Sequence, residues 1–527
     1  MKWDRWGMNR LHTFGDRMLA RCRSAALQGL EARPVIVEVD LVPGLPGMQL
    51  VGLPDKAIQE SRERVRSALR NSGFRGPLVR VVVNLAPAHL RKEGPAFDLP
   101  IALALLVASG QLDRPRLDGL WCAGELGLDG SLRPCRGVLA MAEQALRHGA
   151  EALVVPPGNA DEAALINGLI VRTAPNLQQL VEQLNGTRPF LRICRHRPSS
   201  EPLQTEPIDA SGQAGRALAL AAAGGHHLLL VGPPGCGKSR LAHQLPQLLP
   251  PLESEEALTI ARIRSVAGEQ QDPLEPLRKR PFRAPHHSCS AAALLGGGHN
   301  PRPGELSLAH GGVLFLDELA EFQRTVLDQL RQPLEEGVYR LSRARLKTSF
   351  PAAITLVAAT NPCPCGWHGD RDHGCRCSSS QRQRYWQKLS GPLLDRLDLQ
   401  LRLERRSATA IRGCLNPETT ATRDAWLEPR NITAARQRMT ERNPDGVCNR
   451  DLSAHGLGSH GRFEASALQL WERLVAQRRL STRSGIRLLR VARTVADLND
   501  SQYVSVDAVA EASGFRCADL LQLEIGM

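Results

Sequence analysis

The chain has 527 residues, enough for several domains each with its own core, and its 67 Lys and Arg against 54 Asp and Glu give a formal net charge of +13. No apolar run reaches the roughly 18 residues that span a bilayer, and the opening MKWDRWGMNR lacks the apolar core of a signal peptide, so no membrane partner and a cytoplasmic location are expected. The basic balance suits a polyanionic partner without naming one, and thirteen cysteines, several alone in apolar segments, read as reduced thiols and not as a disulfide framework.

Residues 1–17 are polar, show no period and receive no role; Met18 offers an alternative start. From Val35 the alternation VIVEVDL predicts a strand, PGLPG a turn, and 55–71 a helix rich in Arg and Glu. A strand over 79–84, the loop APAHLRKEGPAFDLP and an apolar helix over 101–109 come next, with further strand and helix signals as far as Val155. These describe a mixed α/β domain over 18–191 that owns no recognisable cofactor motif. It ends in a linker over 192–208, where RHRPSSEPLQTEP replaces periodicity with prolines and polar residues.

Past the linker, GPPGCGKS supplies Gly232, Pro233, Pro234, Gly235, Cys236, Gly237, Lys238 and Ser239, and so fills every fixed position of a GxxxxGK[ST] phosphate loop. A short apolar strand over 227–231 precedes it and a helix over 239–249 succeeds it, which is the context the motif needs. Glycines let the backbone wrap an anion at a helix N-terminus, Lys238 adds positive charge, and Ser239 offers Mg²⁺ a hydroxyl. ATP with Mg²⁺ is the expected ligand. The stretch GGVLFLDELAEF then predicts a buried strand over 313–316 that delivers two acids at its C-terminal end. Asp317 is assigned to the Mg²⁺ water shell and Glu318 to orienting and polarising an attacking water.

Further on, GVYRLSRARLKTSFPA places Arg343, Arg345 and Lys347 at every second residue, which on one extended segment puts three cations on one face. A solvated β-hairpin and a nucleic-acid contact both account for that pattern. A strand over 353–359 ends in Thr360 and Asn361. Immediately after it, NPCPCGWHGDRDHGCRCS carries Cys363, Cys365, Cys375 and Cys377 as C-x-C, nine residues, C-x-C. Four thiols in one short loop read either as a tetrahedral structural Zn²⁺ site or as free reduced cysteines. The pairs His226, His227 and His286, His287 read as packing or hydrogen-bonding residues. In the last segment Ser481 is expected to cap a helix carrying Arg483, Arg487 and Arg490 on one face, the latter two as surface or intersubunit charges.

The runs VGLPDKAIQESRERVRSAL, VVVNLAPAHLRKEGPAFDLPIALALL and RPFRAPHHSCSAAALLGGGHNPRPGELSLAHGGVLFLDELAEF resemble the YifB and ComM family of magnesium-chelatase-like AAA+ ATPases, and the resemblance covers nearly the whole chain from Met18. It implies an α/β multidomain fold: a Lon-protease-like (S5-type) α+β domain over 18–191, an AAA+ P-loop core over 209–405 and a C-terminal helical lid over 406–527. Lys92, Glu93, Gly94, Pro95 and Ala96 match the serine loop of Lon proteases with a methyl group at the nucleophile, and Leu139 falls near the Lon lysine. An alkyl side chain cannot attack a carbonyl, so protease chemistry is not expected there. The resemblance also implies that Asn361 is the first sensor, Arg396 in LSGPLLDRLDLQ an arginine finger for the neighbouring subunit, and Arg483 the second sensor. It turns Arg343, Arg345 and Lys347 into a hairpin that tracks a nucleic-acid backbone.

On these grounds the expected protein is a homo-oligomer, a hexamer by resemblance, that hydrolyses ATP while moving on single-stranded or branched DNA. The ComM branch implies branch migration during natural transformation, with recombination proteins as partners. An aromatic content of 4% favours phosphate contacts over base stacking. Two alternatives are a magnesium chelatase subunit and a Lon-related protein remodeller. The chelatase reading is weakened by the lack of a DxSxS metal-adhesion motif and by the extra N-terminal domain.

Overall fold

In the computed structural model, which describes residues 19–76, 78–190, 193, 210–269, 279–298, 301–343, 346–405 and 425–516, the alternation around Val35 is the second strand of a seven-stranded mixed sheet. The strands are β1 (Leu19–Gln28), β2 (Glu31–Val42), β3 (Gly47–Val51), β4 (Arg80–Ala86) and β5 (Leu120–Cys122). A short ribbon of β6 (Glu125–Leu126) and β7 (Leu132–Arg133) intervenes before β8 (Ala152–Val155) and β9 (Ile170–Thr173). They lie in the order β3-β4-β2-β1-β5-β8-β9. Strand β1 escapes the sequence reading because small residues and Arg21 and Arg23 dilute its apolar alternation. Its hairpin partner β2 supplies the pairing, from Leu19 opposite Asp40 to Gln28 opposite Glu31.

The helix Lys56–Asn71 begins at Asp55, whose Oδ1 accepts from Ile58 N at 2.9 Å, and it buries Ile58, Ser61, Val65, Ala68 and Leu69 along one face. Its Arg and Glu residues thus face outward. The helix Asp98–Ala108 is buried almost all round and starts before the predicted 101, because Pro100 sits in a first turn where its missing N–H leaves no bond unmade. Asp98, fully buried, accepts from Arg64 Nε at 2.6 Å, from Leu126 N at 3.3 Å and from Ser61 Oγ, so the charge is paired on every side. Lys92 is buried as well: its Nζ donates to Gly52 O at 2.9 Å and to Pro87 O, and desolvation lowers its pKa. Ala96 and Leu139 are buried alkyl groups.

The chain divides into two compact units, 1–199 with 261–275 and 200–260 with 276–527. Within the first, Gly137 N donates to Ser265 O at 3.0 Å and Arg262 Nη2 to Glu143 Oε1 at 2.5 Å. Within the run 209–405, the described residues 261–269 thus group with the first unit.

The second unit holds β10 (Leu228–Val231), β11 (Phe282–Arg283), the ribbon β12 (Gly296–Gly297) and β13 (Arg302–Pro303), and β14 (Val313–Leu316). The hairpin β15 (Val338–Arg343) and β16 (Leu346–Pro351) comes next, then β17 (Thr355–Thr360) and β18 (Leu399–Arg402). Five of these form a sheet in the order β11-β14-β17-β10-β18 in which every pair is parallel. Strands β10, β14 and β17 are wholly buried, as their unbroken apolar runs require. Ile432, Ala435, Met439, Leu488, Val491 and Val495 of the later helices share one core with Leu228, Leu230 and Val357 of the sheet.

Ser481 caps the helix Thr482–Leu498, its Oγ accepting from Ser484 N at 3.1 Å. Arg487 on that helix is buried, which corrects the expectation of a surface charge. The cause is Asp398, fully buried just before β18, whose Oδ1 accepts from Arg487 Nη1 at 2.6 Å. Its Oδ2 accepts from His227 N at 3.3 Å and lies 3.3 Å from His226 Nδ1. Against the desolvation that would raise it, the His226 bond and the Arg487 charge hold the Asp398 carboxyl well below the usual carboxylate range.

His227 is buried beside this carboxylate, and its Nδ1 accepts from Leu356 N at 3.0 Å. Burial pushes its pKa from 6.5 down to about 3, so the folded chain keeps it neutral. An unfolded chain takes up that proton below about 6.5, so its contribution to stability is complete above about 6.5 and lost as pH falls toward the folded value. Thermal unfolding of the full chain, followed in steps from about pH 6.5 to about pH 4.5, should show a falling midpoint for the second unit. His227→Asn, whose Oδ1 can take the Leu356 N–H, should flatten the slope; an unchanged slope would remove His227 as its source.

Candidate functional site

The parallel strands deliver their chemistry at one end, the C-terminal end, where open α/β sheets hold ligands. Gly232 comes directly after β10, and a Cβ there would come within 2.8 Å of Leu403 O, so the chain can pass only as glycine. Gly235 and Gly237 adopt φ of 76° and 94° with open space around them, and here glycine is required by the backbone angle. The helix Lys238–Leu248 starts at once, with its N-terminus facing the loop.

Lys238 is buried, and its Nζ donates to Gly232 O at 2.7 Å, Pro233 O at 3.0 Å and Asn361 Oδ1 at 3.1 Å. Desolvation lowers its pKa. Ser239 Oγ donates to Asp317 Oδ2 at 2.8 Å, while Asp317 Oδ1 accepts from Glu318 N at 2.9 Å. Glu318 takes the left-handed conformation at φ 51°, a strained backbone for a residue other than glycine. Its Oε2 lies 2.9 Å from His287 Nδ1. The phosphate loop, the acid pair and Asn361 therefore converge, as three strands ending together must bring them.

His287 is a partner that sequence reasoning passed over. It lies four residues past β11, the strand next to β14, on the side of the sheet end where the acids lie; the order of the sheet was the missing signal.

The cysteine loop belongs to the same end. It begins two residues after Asn361, and the four Sγ atoms lie within 4.8 Å of one another. Cys363 to Cys365 is 3.3 Å, Cys363 to Cys375 is 3.7 Å and Cys365 to Cys375 is 3.6 Å. A tetrahedron with Zn–S of about 2.3 Å has edges of about 3.8 Å, so the donor set and its size fit zinc. Against the desolvation that would raise it, hydrogen bonds from Trp367 and Arg376 N–H bring the Cys365 thiol down to about 6, whereas burial pushes Cys363 up to about 12. Trp367 stacks on His373 at 4.4 Å between ring centroids, which closes the loop upon itself.

Arg396 and Arg483 are not brought to the phosphate loop. Strand β18 runs parallel to β10 with Leu228 opposite Leu399 and Val231 opposite Arg402. Arg396 precedes the start of β18 and the loop succeeds the end of β10, so they lie at opposite ends of strands about 10 Å long. The structure brings the two arginines instead to one carboxylate, Glu335, at 2.9 Å from Arg396 Nη2 and 3.9 Å from Arg483 Nη1.

The hairpin expected here is present as β15 and β16: Arg343 pairs with Leu346 and Ser342 with Lys347, so Arg343 and Lys347 lie on different strands instead of along one extended segment. Arg345 and the side chains of Arg343 and Lys347 lie outside the described residues.

Three family models match: magnesium chelatase, subunit ChlI, over 205–411; subunit ChlI of Mg-chelatase, over 37–159; and magnesium chelatase, subunit ChlI C-terminal, over 429–516. The chain is 42% identical over 510 residues to the YifB protein of Escherichia coli, covering 96% of this chain and 99% of that one. It is 40% identical over 510 residues to YifB of Salmonella typhimurium, covering 96% and 99%. To the competence protein ComM of Haemophilus influenzae it is 41% identical over 507 residues, covering 94% and 97%. The chain belongs to the YifB and ComM family of magnesium-chelatase-like AAA+ proteins. The first of the three matches contains the whole convergent site of this family member, from Gly232 to Cys377.

Gly366, at φ 84°, carries the contact between thiol loop and phosphate loop: a Cβ there would meet Pro234 Cδ at 2.8 Å. Gly366→Ala should weaken adenine-nucleotide binding about tenfold, the effect of strain of this kind passed to the loop. Calorimetric titration checks it, and an unaltered affinity would mean that the thiol loop does not support the phosphate loop.

Proposed function

We propose that this YifB and ComM family member is an ATP-hydrolysing motor that acts on DNA as a hexameric helicase, promoting branch migration of recombination intermediates during natural transformation. The observation that carries the ATPase is the junction of Ser239 with Asp317 at 2.8 Å beside Lys238 and Asn361. A hydroxyl and a carboxylate in contact suit an oxygen-seeking divalent cation, and a glycine loop at a helix N-terminus suits a polyphosphate. Mg²⁺, when bound with ATP, would neutralise phosphate charge between Ser239 and Asp317.

The chain's own groups do the rest. Lys238 carries charge to the phosphates in a desolvated site, where a cation acts more strongly than in water. Glu318, steadied by His287, orients a water and accepts its proton. Asn361 holds the geometry between Lys238 and the attacking water. Because Arg396 lies at the far end of the strands from its own phosphate loop, a role in transition-state stabilisation would be on a second copy, so turnover would require an oligomer.

The finer fold reading is ours as well: a Lon-protease-like first unit without a nucleophile, with Ala96 and Leu139 buried, and the helices within 425–516 as the lid of the AAA+ core. The competence name of the Haemophilus influenzae relative and the charge of +13 support DNA as the track. A chelatase role is favoured by the description of all three matching family models, and porphyrin-dependent turnover with no response to DNA would establish it instead.

ATP turnover by the purified chain should rise at least several-fold with single-stranded or forked DNA, and a variant with Arg343, Arg345 and Lys347 all changed to Ala should lose that stimulation. A variant stimulated as strongly as the parent would take the hairpin out of the mechanism.

The four thiolates would hold a structural zinc. Metal analysis of protein kept reduced should return one equivalent of zinc, lost in Cys375→Ser along with the order of the loop; a metal-free parent that binds nucleotide normally would assign the cluster to free thiols.

A further inference from the structure

Glu335 belongs to no motif, yet two guanidinium groups meet on it. Its Oε1 stands 2.9 Å from Arg396 Nη2 and 3.9 Å from Arg483 Nη1. Arg396 is buried, with Nε donating to Arg331 O at 3.1 Å and Nη1 to Pro392 O at 2.6 Å, so each of its three nitrogens is engaged within its own protomer. Of these three contacts only that with Glu335 is to a charged group, so it is the strongest single hold on the guanidinium. Arg483, by contrast, is 59% exposed, and Glu335 is 39% exposed.

The position of Glu335 along the chain gives this contact a handle. It lies in the last turn of the helix Arg331–Glu336, and Glu336 and Gly337 alone separate it from Val338, where the hairpin begins. Gly337, at φ 65°, closes the helix and accepts from Ala352 N at 2.7 Å, so the two hairpin ends are clamped together at this point. Glu336 is ion-paired with Arg340 on β15. The helix that carries Glu335 and the base of the hairpin thus follow one another directly, with the Ala352–Gly337 bond and the Glu336–Arg340 pair between them.

We propose that Glu335 is a shared counter-ion that holds Arg396, and more loosely Arg483, withdrawn from the phosphates of a neighbouring copy, and that DNA drawing on the β15–β16 hairpin moves it aside. This rests on the reading of Arg396 and of the hairpin given under the proposed function. One carboxylate neutralises one positive charge, so two guanidinium groups sharing it repel each other once it moves, and both are driven outward. DNA can shift this balance only by binding the moved hairpin better than the resting one, which the three cations of the run 343–347 would provide. The phosphate loop is untouched, so ATP affinity stays the same while turnover changes.

The test is steady-state ATP turnover of the full chain carrying Glu335→Gln, which keeps the size of the side chain and removes its charge. Turnover without DNA should rise about 5- to 30-fold, the equivalent of one charge-assisted bond, with KM for ATP unchanged and the further effect of single-stranded DNA reduced. Adding Arg396→Ala should cancel the gain. Unchanged or lower turnover without DNA, in a variant that melts with the parent, overturns the proposal. Should the variant melt early, hydrogen exchange on the parent decides: single-stranded DNA should speed exchange across 331–336 and 391–396, and equal rates with and without DNA overturn it. Failure of the underlying reading looks different, for then the parent does not respond to DNA or Arg396→Ala keeps full turnover, and the counter-ion role falls with it.

Discussion

A sheet of parallel strands has two unlike ends, and almost everything in the second unit stems from that inequality. Strands β10, β14 and β17 finish together, so the residues just past each of them must meet. That is why a phosphate loop, an acid pair and the polar residue Asn361, 129 positions apart in sequence at their extremes, come to lie within hydrogen-bonding distance, with Lys238 on Asn361 and Ser239 on Asp317. The opposite end, where the strands begin, gathers Glu335, Arg396 and the base of the hairpin. The candidate nucleotide site and the Glu335–Arg396 contact thus occupy opposite ends of the same few strands, with β17 running from one to the other.

At the end where the strands begin lies a buried polar network that ties the later helices to the sheet. Asp398 is its anchor. Arg487 reaches it from the helix Thr482–Leu498, and the same arginine donates to Arg396 O at 2.9 Å, so the backbone that carries the candidate finger is held by the helix that carries Arg483. A little further along that helix, Asp497 takes Arg442 and Arg493, and Asn449 Nδ2 donates to it at 2.8 Å. Buried charges of this kind add little net stability compared with apolar packing, but breaking one side leaves an uncompensated charge inside.

The parts of the site legible in the sequence were those whose chemistry requires a contiguous pattern. A phosphate loop needs glycines at set intervals beside a lysine, and an acid pair at a strand end needs the apolar run before it; both patterns are local. The four-cysteine loop was legible for the same reason. The features that stayed hidden depend on strand order. His287 looks like half of an unremarkable histidine pair until β11 is known to lie beside β14, and Glu335 is one acid among many until β18 is known to run parallel to β10. Arg487 was read as a surface charge because helical spacing ranks it with Arg483 and Arg490, and nothing in the spacing reveals that a carboxylate waits under it. Strand β1 was missed because its outward arginines and inward alanines carry little apolar contrast, and its pairing with β2 decides its conformation.

The recruitment of 261–275 by the first unit bears on how this chain could have been assembled from ancestral parts. A cut at 192–208, which by composition looks like the seam between two separable modules, would strip the first unit of Arg262 and Ser265, leaving Glu143 without its cation and Gly137 N without its acceptor. The halves are interleaved along the polypeptide and not laid end to end. A fragment ending at that linker would therefore lack part of the first unit's own hydrogen bonding.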